Sequence, residues 1–153
     1  MRSISQIYIM TVFGVKYRLG LIEESWKEKL YAVIANTLKK IDGVMPIEVG
    51  GYKDHIHMLY STQGKISETE IMTRVKTESS KWINSHRLTV GRFGWQSGGG
   101  YFSYSKSQLN SVVNYIRNQT EHHRVKTFHE EYAEWLSKIG IRDMQYLLPD
   151  ELQ

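Results

Sequence analysis

Cysteine is absent from all 153 residues. That absence excludes disulfide frameworks, thiolate-held zinc, iron–sulfur clusters and thiol catalysis together, leaving His, carboxylate and amide groups as the available metal ligands. No apolar run approaches the roughly 18 residues that cross a bilayer. The opening Met1-Arg2-Ser3-Ile4-Ser5-Gln6 leads into an alternating segment where a signal peptide would carry an apolar core. A soluble, cytoplasmic protein is therefore expected. Internal repeats and low-complexity tracts are also missing. What is present, 41% hydrophobic and 24% charged residues, suits one compact domain that buries about 70% of its unfolded surface, and this excludes disorder and a multidomain layout. Twenty Lys plus Arg against sixteen Asp plus Glu give a net charge of +4, which permits a polyanionic partner without requiring one.

The residues near 4–13, with Ile4, Tyr8, Ile9, Val12 and Phe13, predict a first strand, followed by the basic Lys16-Tyr17-Arg18. From about 22 to 41, Ile22, Trp26, Leu30, Val33, Ile34, Leu38 and Ile41 recur at steps of three and four, as on one helix face. Asp42-Gly43 ends it. Val44–Tyr52, with Pro46 and Gly50-Gly51, predicts an edge or bulged strand turning tightly into a third strand at His55–Ser61. Ser67-x-x-Glu70 is a capping box for a helix over about 68–85. Five glycines among aromatics in residues 91–104 suggest a loop and a last strand where a backbone or ligand comes close. Ser105-x-x-Gln108 caps a helix over about 106–123, and Thr127-x-x-Glu130 caps another over about 128–139, stopped by Gly140. The order β-α-β-β-α-β plus two helices predicts a ferredoxin-like α+β fold: an antiparallel sheet with core helices on one face, all within one domain, residues 1–153, whose core spans about 4–104.

His55 and His57 leave the same face of the third strand, while Ile56, Met58 and Tyr60 face the other way. Such a pair also occurs by chance, but the coherent apolar set opposite frees the His face from being core. On the third helix Leu109, Val112, Val113, Ile116 and Thr120 form one stripe, and Tyr115, Gln119 and His122 a different, polar one. Tyr115 is then either a boundary ring with a wet hydroxyl or a nucleophile for phosphorus, assisted by a nearby divalent ion.

Three separated motifs carry a resemblance. Asp54-His55-Ile56-His57, then Trp95-Gln96 with a Gly-rich strand ending Phe102-Ser103, then Asn114-Tyr115-Ile116-Arg117-Asn118-Gln119-Thr120-Glu121-His122-His123-Arg124 with Phe128 and Glu130-Glu131, closely resemble the single-tyrosine HUH transposases of the IS-two-hundred type. The likeness runs from Lys16-Tyr17-Arg18 to Gly140; the triple glycine at 98–100 and Tyr104 depart from the pattern. The resemblance implies that His55, His57 and Gln119 hold magnesium or manganese, and that Tyr115 attacks a scissile phosphate in single-stranded DNA. A 5′-phosphotyrosine and a free 3′-OH result, and a second 3′-OH rejoins the strand without ATP. It also implies hairpin-bearing element ends as partners and a homodimer in which active sites can be shared between subunits; the sequence allows such sharing, with Gly98-Gly99-Gly100 or residues 123–127 as hinges around the tyrosine helix. Two imidazoles and an amide oxygen agree with a hard or borderline ion.

Lys16, Arg18, Arg74, Lys76, Lys81, Arg117, Arg124 and Lys126 are either phosphate contacts or solvated surface, and Ser79 and Ser80 interleave hydroxyls with the helix-two charges. Tyr17, Trp82 and Trp95 are candidate stacking platforms, Trp82 fitting a core stripe better. His122 is either a supporting ligand or proton carrier, or a helix-terminal cation. His86, His123 and His129 fit structural or solvent-facing positions. Asp54 either orients a histidine or caps the turn, the turn being the simpler role. Two alternatives use the same residues differently: a noncatalytic nucleic-acid-binding sheet, against which the histidines stand where stacking aromatics are wanted, and a domesticated host nicking enzyme with the same site.

Overall fold

The computed structural model describes residues 1–120, 127–138 and 140. A single four-stranded antiparallel sheet organises the chain: β1 (Ile7–Gly14), β2 (Val44–Tyr52), β3 (His55–Thr62) and β4 (Gly100–Tyr104), in the order β2-β3-β1-β4. Both central strands are the buried ones, as the apolar runs of β1 and β3 require. β2 lies at an edge, and its register shifts between Pro46 and Glu48, where proline has no N–H for the ladder.

Alternation along the strands sends two side-chain sets to opposite faces. Phe13, Val15, Ile56, Met58 and Tyr60 pack with Leu30, Ile34 and Leu38 of α1 (Lys27–Lys39) and Ile71, Val75 and Ile83 of α2 (Glu68–Ser85). Met10, Val12, Leu59 and Phe102 pack on the other face with Val112 and Ile116 of α3 (Leu109–Arg117) and Tyr132 and Leu136 of α4 (Phe128–Lys138). The sheet is therefore covered on both sides. The two core helices share one face, and the added helices close the other over the histidines.

Local signals explain most boundaries. The Ser67 hydroxyl accepts the Glu70 N–H at 3.1 Å, a cap worth about 1 kcal/mol, while the Glu70 carboxylate turns to Arg74. α1 is shorter than its apolar spacing suggests: Ile22 and Ile41 are buried from flanking turns, Ile22 N–H bonding Lys53 O. A short 3-10 turn at Lys16–Arg18 follows β1, and another at Lys106–Gln108 precedes α3. The third helix departs from expectation at Asn118, whose φ of −95° and ψ of 18° break the turn. Beyond it Thr120 is exposed and Gln119 buried, the reverse of what an uninterrupted helix would give. The end of that helix near 123 lies outside the described residues.

Candidate metal and tyrosine site

On β3, His55 and His57 face α3 and α4, and neither has any exposed surface. The ring planes cross at 79° with centroids 5.1 Å apart. The His55 Nδ1–H donates to Asp54 Oδ1 at 2.7 Å, and Asp54 Oδ2 takes the Arg18 guanidinium. Arg18 reaches it through two successive left-handed residues, Tyr17 at φ 60° and Arg18 at φ 57°, each costing about 1–3 kcal/mol. Burial works against an ionised Asp54, but the hydrogen bond and charge of His55, with Arg18, outweigh it and hold the carboxyl down to about 2. Asp54 thus orients the imidazole, correcting the simpler turn-capping role. Arg18 is thus held against Asp54 beside the histidines.

α3 brings the opposite wall. It crosses β2 at Gly50, where an added Cβ would lie 2.7 Å from Ile116 Cγ2 and 3.0 Å from Ile116 O, so the glycine permits the close approach. Tyr115, one residue before that contact, packs edge-on against His57, with centroids 5.5 Å apart and planes at 88°. Gln119 is 1% exposed, and its Oε1 stands 2.9 Å from His55 Nε2. α4 adds Glu131, 4% exposed, whose Oε1 is 3.2 Å from His57 Nε2. Ligand atoms of His55, His57 and Glu131 all lie within 4.8 Å of one another.

These groups fit a divalent cation. With Nδ1–H given to Asp54, Nε2 is the nitrogen that His55 turns toward Gln119 Oε1, and once deprotonated it would share a cation with that oxygen. Adjacent ligands about 2.1 Å from an octahedral ion stand about 3 Å apart, close to both separations. Neither ring nitrogen of His57 finds a hydrogen-bond partner among the described residues, a cost for two buried atoms that metal binding at Nε2 would reduce. The donor set of two imidazoles and oxygens matches magnesium, manganese or a similar ion better than a soft one.

Burial pushes the Tyr115 hydroxyl well above the ordinary tyrosine range; the Glu131 charge and a hydrogen bond to Glu131 add to this, and one from Gln119 partly opposes it. As held, the phenol is protonated and faces a carboxylate. Sequence reasoning did not assign Glu131 a role. The available signal was its position between Phe128 and Trp135 on an otherwise apolar stripe of α4, a carboxylate where burial would be expected.

The remaining candidates fall elsewhere. Ser79 is buried, donating to Val75 O at 2.6 Å and accepting Trp95 Nε1–H at 2.9 Å, which takes it away from any phosphate. Trp95 is likewise committed, packed edge-on against Phe13 and Phe93 at 4.8 Å each, so it is no stacking platform. Lys76 clamps Gln96 O at 2.8 Å and Gly98 O at 2.7 Å, and burial pulls its ammonium down to about 8. Arg74 pairs with Glu70 and Arg117 with Glu48. Trp82 packs against the α1–α2 core, and Tyr17 is 62% exposed. Lys16, Ser80 and Lys81 are at the surface. His86 is exposed, with Nδ1 2.9 Å from Trp82 O. His122, His123, Arg124 and Lys126 lie outside the described residues, as does the His129 side chain.

The family described as "Transposase IS200 like" matches residues 3–119, which include β1 through Gln119. The chain belongs to the IS200-like transposase family. Two solved structures share the fold: a Deinococcus radiodurans protein crystallised as a candidate transposase, 15% identical with a TM-score of 0.61 over 78% of this chain and 95% of that one, and a REP-associated tyrosine transposase bound to a REP hairpin, 12% identical with a TM-score of 0.58 over 80% and 72%. No curated protein matches this transposase-family chain by sequence. No helix among the described residues is long and apolar enough to cross a membrane.

Proposed function

We propose that this IS200-like transposase cleaves and rejoins single-stranded DNA, with Tyr115 as the nucleophile and His55, His57, Gln119 and Glu131 as the protein ligands of a magnesium or manganese ion. The observation that carries the reading is the convergence of the Tyr115 phenol and the two imidazoles in one buried cradle, with centroids of Tyr115 and His57 5.5 Å apart. An ion held there would polarise a phosphate oxygen and favour ionisation of a nearby hydroxyl. The Tyr115 oxygen attacks phosphorus, its proton passing to Glu131, and the P–O3′ bond breaks with that oxygen taking a proton from solvent, leaving a 5′-phosphotyrosine and a free 3′-OH. Attack by another 3′-OH on that ester releases Tyr115 and joins the strands, so the bond energy is conserved. Asp54 and Arg18 keep His55 in the tautomer that leaves Nε2 for the ion.

The same reading treats residues 1–153 as one catalytic domain. It takes hairpin-bearing DNA ends as partners, supported by the hairpin on the REP-associated structural neighbour, and a homodimer as the working form. His122 and Arg124 follow Gln119 in the chain and belong to the proposal as a supporting group and a DNA contact. Purified wild type and Tyr115→Phe are incubated with labelled single-stranded DNA from the gene's flanks, with Mg²⁺ or EDTA, and resolved on denaturing gels. A metal-dependent adduct lost in Tyr115→Phe supports transesterification. DNA binding without any adduct would favour a noncatalytic binding module.

A further inference from the structure

Beside Tyr115 a cavity of about 350 Å³ opens between β4, α3 and α4. Tyr115 and Glu131 belong to its wall as well as to the metal cradle. The cavity therefore begins where the attacking oxygen sits. Its volume lies at the lower end of the roughly 300–1,000 Å³ typical of ligand pockets, which suits one extruded nucleotide and excludes a duplex.

The walls have the chemistry of a base-binding slot. Tyr104 and Trp135 line it, and both are pinned. Trp135 stacks on Phe102 at 4.8 Å with planes 20° apart, and its indole N–H donates to the Tyr104 hydroxyl. Phe102 covers one face of Trp135, so a base would stack on Tyr104 or on the part of the indole that lines the cavity, and such stacking tolerates any base. Gln108 and Ser111 add an amide and a hydroxyl, and at the exposed end of α4 the Lys138 ammonium stands 3.7 Å from the Glu134 carboxylate, which also lines the cavity. A single-stranded segment crossing the cradle at its scissile phosphate would present one neighbouring nucleotide to this opening.

We infer that this cavity is a subsite for the base of one nucleotide flanking the phosphate attacked by Tyr115. The inference rests on the proposed function for its substrate. It predicts that the enzyme requires a base at that position for positioning, separately from any metal contact.

The test uses single-stranded substrates carrying an abasic residue on either side of the cleavage position, with wild type and Ser111→Trp. Ser111 is exposed on α3, so the indole fills the cavity without entering the core. An abasic residue at one of the two positions is expected to slow adduct formation by wild type about tenfold or more, within the range of stacking on an aromatic side chain. The same change is expected to slow Ser111→Trp less than twofold. Equal sensitivity of the two proteins, or indifference of wild type to both abasic positions, overturns the subsite. A second measurement needs no cleavage: 2-aminopurine placed at the sensitive position should be quenched on binding to Tyr115→Phe, and quenched less when Ser111→Trp is added. Quenching without any wild-type adduct would keep the subsite and remove the proposed transesterification, whereas an adduct without quenching at either position would do the opposite.

Discussion

Gly50→Ala tests how the fold places the nucleophile. An alanine Cβ would stand 2.7 Å from Ile116 Cγ2 and 3.0 Å from Ile116 O. Ile116 is 1% exposed and belongs to the core beneath α3, and its β-branched side chain has little rotamer freedom in a helix. Relief requires α3 to move outward by several tenths of an ångström, because the carbonyl oxygen cannot rotate away. Overpacking of this kind costs about 1–3 kcal/mol. Tyr115 precedes Ile116 and moves with it, and a displacement near 1 Å at a reacting group lowers rates by about a hundredfold. Urea unfolding and the rate of adduct formation are the assays. The expected result is a loss of about 2 kcal/mol with at least a tenfold slower rate, and a smaller loss from Gly50→Ala when Ile116 is also made alanine, since coupled neighbours are not additive. Wild-type stability and rate in Gly50→Ala would refute the close packing of α3 on β2.

Further outcomes are expected elsewhere. The Asp54 carboxyl is held at about 2 against an ordinary 3.8, so its contribution, up to about 2 kcal/mol, is fully present above about pH 4 and is lost as pH falls through 2; the stability difference between wild type and Asp54→Asn, measured in EDTA, should shrink over that window. Glu131→Gln should weaken Mn²⁺ binding, followed by electron paramagnetic resonance, by about tenfold or more, because ligand charge sets affinity for hard cations; unchanged affinity would remove Glu131 from the ligand set. Lys76→Ala removes two hydrogen bonds from a charged donor to loop carbonyls and should cost about 2 kcal/mol in urea unfolding, with the salt dependence of DNA binding unchanged. A reduced salt slope would return Lys76 to the DNA interface.

The elements legible in the sequence are those with redundant local signals. α2 has both a cap at Ser67 and an unbroken apolar stripe, and its ends fall at Glu68 and Ser85 as expected. The period-two alternation of β3 separates the His face from the Ile56, Met58 and Tyr60 face because the pleat permits nothing else. The third helix was harder: extrapolating 100° per residue through Asn118 places Thr120 inside, while the observed break buries Gln119. Polar residues were legible as a group and not as individuals. Lys76 and Ser79 share a segment with Lys81, and only tertiary packing shows that the first two serve the 95–98 loop and Trp95. Glu131 was masked by its neighbourhood, since Glu130 and Glu131 both sit in the first turn of α4, where acidic residues commonly offset the helix dipole.

The central claim is that Tyr115 forms the covalent bond to DNA. Wild-type protein incubated with single-stranded substrate and Mn²⁺ is digested with protease and nuclease, and the nucleotide-bearing peptide is sequenced by tandem mass spectrometry. The account predicts a phosphonucleotide on the Tyr115 oxygen that is absent when EDTA replaces the metal. Attachment at any other tyrosine, Tyr104 of the cavity wall included, would contradict it.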